Sequence, residues 1–176
     1  RSSDLMDSDR FLAYLVDETG VSNTPVISAT GNTHLFYIGY MKISHDGKKL
    51  ASAVSSEKFI TLFDFDNTTG KISNPIYLYI NNTAYGLEFS ADNRKLYAGS
   101  GEIFVTSHTI YQFDISLETE NLINDSKKII IKYKDFPRFH ALQLASDGKI
   151  YLTRWLYLAV INKPNETGAA CDFKDS

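Results

Sequence analysis

The chain has 176 residues and a formal net charge of −3, with acidic and basic side chains mixed along its length. That is enough chain for one domain with a sizeable core, and without a basic patch nucleic-acid binding has no electrostatic basis. No apolar run approaches the roughly 20 residues of a membrane-spanning helix, and eleven Tyr and eleven Phe against two Met and one Trp favour sheets, where aromatic side chains fit the pleated surface.

Taken in chain order, the first predicted element is a strand from about Arg10 to Val16. The turn Asp17-Glu18-Thr19-Gly20 and a Pro-led strand from Pro25 to about Ile27 follow it. Next comes a hairpin: Met41-Lys42-Ile43-Ser44 alternates apolar and polar residues, His45-Asp46-Gly47 turns, and Lys49-Leu50-Ala51-Ser52-Ala53-Val54 returns. A period of two reads as a strand with one buried face, and Asp and Gly suit the turn because they tolerate positive φ. A third strand, Ile60 to Asp66, leads through Thr69-Gly70 into a second Pro-led strand around Pro75-Ile76.

The same hairpin returns as Leu87-Glu88-Phe89-Ser90 with Asp92-Asn93 and Lys95-Leu96-Tyr97-Ala98, followed by a third strand from Ile110 to Ser116. It returns once more as Leu142-Gln143-Leu144-Ala145 with Asp147-Gly148 and Ile150-Tyr151-Leu152, followed by Tyr157 to Ile161. The aligned aspartates stand 46 and 55 residues apart, and Thr19-Gly20 lies 50 residues before Thr69-Gly70. Two independent repeats therefore agree on a unit at or just beyond the roughly 40–50 residues of one four-stranded propeller blade, with loop insertions making up the excess. The expected fold is an all-β β-propeller segment of about three and a half four-stranded blades. Residues 10–28 end one blade; 37–79, 84–133 and 139–173 form three more. Rings of this kind have about four to eight blades, seven among them, so the segment is read as part of a larger ring whose remainder lies outside this chain. The stretch from Ala98 to Thr109 and the short one from Thr153 to Leu158 depart from the pattern.

The run Gly39-Tyr40-Met41-Lys42-Ile43-Ser44-His45-Asp46-Gly47-Lys48-Lys49-Leu50, its two sisters and the ending Val160-Ile161-Asn162-Lys163-Pro164-Asn165 resemble a known family. They look like the lactonase-like, YVTN-type propeller of large bacterial surface proteins that carry a gliding-motility-associated, type IX secretion sorting domain. The resemblance spans nearly the whole chain, with Ala145 where the sister blades have Ser44 and Ser90. It implies export across the outer membrane and an extracellular or cell-surface location, and it transfers no catalytic residue. The opening Arg1-Ser2-Ser3-Asp4 lacks the basic stretch and apolar core of a signal peptide, which a mature or excised segment would lack as well.

The residues that carry chemistry elsewhere read mostly as structural here. Asp46, Asp92 and Asp147 occupy equivalent turns, where Asp side chains bond nearby backbone N–H groups. Asp64-Phe65-Asp66-Asn67 lacks the Gly and bidentate Glu of a calcium loop. His34, His45, His108 and His140 show no metal-ligand spacing, and Cys171 lacks a neighbouring activating pair, which leaves a partly buried free thiol. The sequons at Asn67, Asn81, Asn124 and Asn165 matter only in a glycosylating source. Four residues remain as ligand-contact candidates. His140 and Tyr85 precede inner-strand patterns and so stand near the mouth of the central channel; Arg154 and Trp155 would make a cationic and aromatic patch on a loop, or pack between blades. No catalytic, cofactor or metal residue is expected. The leading expectation is a non-enzymatic propeller that binds a protein or glycan partner or serves as a scaffold alongside the rest of its ring. The rival is a lactonase-like hydrolase holding a metal, calcium for example, in the channel.

Overall fold

Each repeated turn closes its hairpin in the same way. The N–H groups of Gly47, Asn93 and Gly148 bond back to the carbonyls of Ser44, Ser90 and Ala145 at 2.9, 2.9 and 3.0 Å. All three donors have positive φ, 69°, 59° and 78°, which is why Gly or Asn follows the aspartate. The computed structural model describes residues 8–34, 38–101, 108–133, 139–154 and 156–175, with the backbone alone at 34, 139 and 140.

Strands β1 (Ser8–Ala13) and β4 (Val26–His34) form a two-stranded sheet, joined through the short hairpin β2 (Val16–Asp17) and β3 (Gly20–Val21). Three four-stranded antiparallel sheets follow, each in chain order. The first contains β5 (Gly39–Ile43), β6 (Lys49–Val54), β7 (Phe59–Asp66) and β8 (Lys71–Tyr79). The second contains β9 (Ala84–Phe89), β10 (Lys95–Ser100), β11 (His108–Asp114) and β12 (Lys128–Tyr133), with α1 (Glu120–Asp125) inserted before β12. The third contains β13 (Phe139–Leu144), β14 (Ile150–Arg154), β15 (Tyr157–Ile161) and β16 (Phe173–Lys174). Numbered from the N-terminus, these are blades one to four, and the first is represented by its outer part. Its outer strand β4 continues to His34, past residue 28.

First strands pack on first strands, β5 on β9 and β9 on β13, while the outer strands β4 and β8 pack on each other. That pattern is the lateral stacking of blades around an axis, and the fold is an arc of a β-propeller. Between blades two and three lies the largest core, where Ala51, Ala53, Ile60, Leu62 and Leu78 meet Leu87, Phe89, Leu96, Tyr111 and Phe113. Between blades three and four, Tyr97 and Ile110 meet Leu142, Ile150, Leu152 and Cys171. Cys171 is a fully buried free thiol whose pKa burial pushes up, the opposite of what a nucleophile needs.

Two details were not anticipated from the sequence. Pro75 sits inside β8 at a bulge, where the register shifts between Leu62 and Asp64 and Asn74 has φ 53°; the missing N–H thus falls at an irregularity in the ladder. Helix α1 covers the outer edge of β8. Tyr77 N donates to Glu120 Oε2 at 2.9 Å and Tyr79 N to Asn124 Oδ1 at 2.8 Å. Asn124 Nδ2 donates to the Tyr77 carbonyl at 2.8 Å, and Lys127 Nζ to the Tyr79 carbonyl at 2.8 Å. Residues four apart on one helical turn thereby satisfy strand residues two apart, and an edge open to aggregation is closed. No helix among the described residues is long and apolar enough to cross a membrane.

Candidate functional site

The turn aspartates set the ends of the inner strands. Asp46 Oδ1 accepts from Ser44 Oγ at 2.6 Å and from Lys48 N at 3.2 Å. Asp92 Oδ1 repeats this with Ser90 Oγ at 2.6 Å and Arg94 N at 3.1 Å. Asp147 lacks the serine; Lys149 N reaches its Oδ1 at 3.1 Å and Tyr151 Oη its Oδ2 at 2.9 Å. For Asp46, burial raises the carboxyl pKa, but the bonds from Ser44 and Lys48 outweigh it and leave the group below its ordinary value. Neighbouring turns are also tied to one another, with His45 N donating to Asn93 Oδ1 at 2.7 Å and Asp92 N to Asn165 Oδ1 at 3.3 Å.

Four residues before each turn aspartate stand Lys42, Glu88 and Gln143, at one equivalent position of three consecutive inner strands. Lys42 Nζ lies 3.0 Å from Glu88 Oε2 and 2.8 Å from Gln143 Oε1. Glu88 Oε2 also accepts from Leu144 N at 2.9 Å, and its Oε1 from Phe89 N at 3.0 Å. The Lys42 and Glu88 side chains are 20% and 2% exposed, so this is a buried carboxylate held by an ammonium and two backbone donors. A second repeated ion pair joins second strand to third: Lys49 to Asp64 and Lys95 to Asp114, each at 2.6 Å. Burial raises both aspartate pKa values, and hydrogen bonds, led by those from the paired lysines, bring them below the ordinary range.

Of the candidates read from sequence, Tyr85 is half-buried near the start of β9, with its ring edge-on to Tyr40 at 5.3 Å between centroids. Arg154 ends β14, pairs through Nη1 with Asp175, and lies over the Tyr133 ring at 5.2 Å. Tyr133 Oη donates to the same carboxylate. Burial, together with Asp175, pushes the Tyr133 phenol up to about 12. Arg154 thus clamps blade four to blade three, and its Nε is buried without a hydrogen-bond partner among the described residues. Trp155 lies outside the described residues, as does the side chain of His140, whose backbone belongs to β13. The two candidates whose side chains are described do not converge: Tyr85 packs toward blade two and Arg154 toward blade three.

The Lys42–Glu88–Gln143 belt is what reasoning from identical letters missed, since the three blades differ at that position. The available signal was a polar residue repeated at one place in an otherwise apolar inner strand. Both Glu88 oxygens are taken by protein donors, and no group of three or more His, Cys, Asp or Glu side chains among the described residues could hold an ion.

No protein-family profile matches the chain, and no curated protein sequence does. Solved structures do. The periplasmic gluconolactonase PpgL of Pseudomonas aeruginosa superposes with a TM-score of 0.59 at 12% identity, over 94% of this chain and 48% of that one. A luciferin-regenerating enzyme gives 0.54 at 14% identity, over 80% and 43%. The hydrazine synthase of Kuenenia stuttgartiensis gives 0.52 at 17%, over 87% and 45%. The chain spans under half the length of these structures, and its likeness to them is one of fold, a segment of a β-propeller.

Proposed function

We propose that the chain is part of a non-enzymatic propeller on an exported bacterial surface protein, where it binds a protein or glycan partner or acts as a scaffold. One observation supports this above others. The buried carboxylate on the inner strands, Glu88, is paired with Lys42 and accepts from two backbone N–H groups, so the protein supplies its own cation to the buried carboxylate of this belt. Ion pairing that locks first strands together serves the rigidity of a binding platform. The location rests on the resemblance of the repeats to sorting-domain surface proteins.

A second reading has its own support. Two of the structural neighbours are a gluconolactonase and a luciferin-regenerating enzyme, and a propeller fold hosts either kind of function. Thermal melting of the protein with and without calcium, a lactone-hydrolysis assay and a glycan array separate the two. The binding platform predicts a melting temperature indifferent to calcium, no hydrolysis, and retention on a defined glycan or surface protein. Calcium-dependent stabilisation together with lactone turnover would overturn it in favour of the hydrolase.

A further inference from the structure

Blade two carries an aromatic cluster that blade three lacks. Phe59 of β7 and Tyr79 of β8 are cross-strand partners, and Tyr77 stands two residues away on the same face of β8, opposite Thr61. Ile60 and Leu78 turn the other way, into the core shared with blade three, which leaves the three rings on the side toward blade one. The Phe59 ring is edge-on to both tyrosines, at 5.3 Å and 90° to Tyr77 and at 6.4 Å and 67° to Tyr79. When the blades are aligned on the ion-paired Asp64 and Asp114, Thr109 takes the place of Phe59 and pairs with Lys132. A blade therefore closes without these rings. Both outer strands of blade one are in place at this joint, and Asn32 Oδ1 of β4 accepts from Tyr77 Oη at 3.0 Å. Tyr79 nevertheless stays 52% exposed, and Phe59 and Tyr77 are half-buried.

The charges that act on these rings are negative. Glu57, two residues before Phe59 on the loop between β6 and β7, is half-buried, and burial pushes its carboxyl up. Among the described residues that carboxylate has no hydrogen bond or ion pair. Burial first, then the charges of Glu120, Tyr79 and Glu57, raise the Tyr77 phenol, so both carboxylates lie close enough to act on it. The neighbouring lysines do not answer them. Lys127 Nζ bonds the Tyr79 carbonyl on the covered outer edge and lies 5.8 Å from the Tyr111 ring, and Lys58 is exposed. A partly desolvated carboxylate without a partner is costly, and aromatic faces carry negative potential; a weakly hydrated organic cation satisfies both. We infer that Phe59, Tyr77, Tyr79 and Glu57 form a binding site for an alkylammonium group, with the ring faces against its carbons and the Glu57 carboxylate as its counter-charge. Rings set edge-on make the walls of a corner, which suits a compact cation, whereas a flat sugar ring stacks on a single face. The cluster lies on third and fourth strands, outside the channel, so the site stands whether the ring is a binding platform or a hydrolase.

The test titrates the chain with choline, followed by NMR, and in parallel with its neutral isostere 3,3-dimethylbutan-1-ol, which has carbon in place of the cationic nitrogen. Choline should shift the ring protons of Tyr79 saturably, and the isostere should bind at least about tenfold more weakly. Glu57→Gln and Tyr79→Leu should each weaken choline binding about tenfold, Glu57→Gln while melting no lower than the original chain. Tyr157→Leu, at an exposed tyrosine of blade four, should leave binding unchanged. Flotation with phosphatidylcholine vesicles, lost in the same two variants, would place the cation on a lipid headgroup; choline binding without flotation would place it on a free solute. Equal affinity for the isostere, indifference to Glu57→Gln, or no saturable shift overturns the inference. So does saturable binding of a neutral oligosaccharide in place of choline, which would make the rings a sugar platform.

Discussion

Replacing Lys42 by Met would leave the Glu88 carboxylate, 2% exposed, with two backbone donors and no counter-charge. Breaking a buried pair on one side costs about 3–5 kcal/mol, whereas removing both charges costs far less. Lys42→Met should therefore destabilise the chain by about 3 kcal/mol. The double variant Lys42→Met, Glu88→Gln should recover at least about 1 kcal/mol of that loss, which appears as a coupling in a double-mutant cycle. Urea unfolding of the four proteins measures it; additive losses would mean that the two residues act independently. Glu57 presents the opposite case. Half-buried on the loop between β6 and β7, its carboxyl is pushed up by burial. A carboxyl whose pKa is raised in the folded state favours folding while protonated and loses that contribution as pH climbs above the ordinary value near 4.5. Glu57→Gln should accordingly raise the melting temperature by about 1–2 °C at pH 7 and have no effect at pH 4.

Among the elements, α1 has the least expected role, because it finishes a sheet in the preceding blade. Asn124 contributes one acceptor to Tyr79 N and one donor to the Tyr77 carbonyl. Asn124→Ala should cost about 1–2 kcal/mol and speed hydrogen exchange at Tyr79, with little change at Ile60 in the blade's interior. Equal acceleration at both amides would show that the helix supports the whole fold and does not act as an edge cover. The hairpins were legible because their turn chemistry is local: Ser44, Asp46 and Gly47 lie within one turn and repeat as Ser90, Asp92 and Asn93. Strand β15 matches its expected span, Tyr157 to Ile161, since apolar runs bounded by turns are also local. Helix α1 escaped notice because six residues give fewer than two turns of periodicity, and its stabilising partners lie more than forty positions away in sequence. The belt escaped for a related reason: Lys42, Glu88 and Gln143 are dissimilar residues whose relation exists only once first strands stand side by side. Arg154 and Trp155 read from the sequence as a cationic and aromatic loop patch or as packing between blades. What decides the role of Arg154 is Asp175, reached only when β16 closes blade four.

Across the whole molecule, lowered aspartate pKa values set the response to acid. Asp46, Asp64 and Asp114 lie below the ordinary 3.8. Their contribution is therefore complete above pH 3.8 and is lost as pH falls through the lower values of the folded chain. Stability followed by urea unfolding should be steady with respect to these groups above pH 4 and decline below it. Lys49→Met or Lys95→Met should make that decline shallower. A decline that begins near pH 6 would point to histidine instead.

The unlike letters of the belt also bear on how the chain could be rearranged. Modules of nearly equal length and the same turn invite exchange by recombination, and they invite mispairing while the chain folds. Were blade two copied into the place of blade three, one lysine would meet another where a carboxylate now stands, and a buried like-charge contact would reject the arrangement. A difference of a single side chain thus works as an address that tells blade two from blade three.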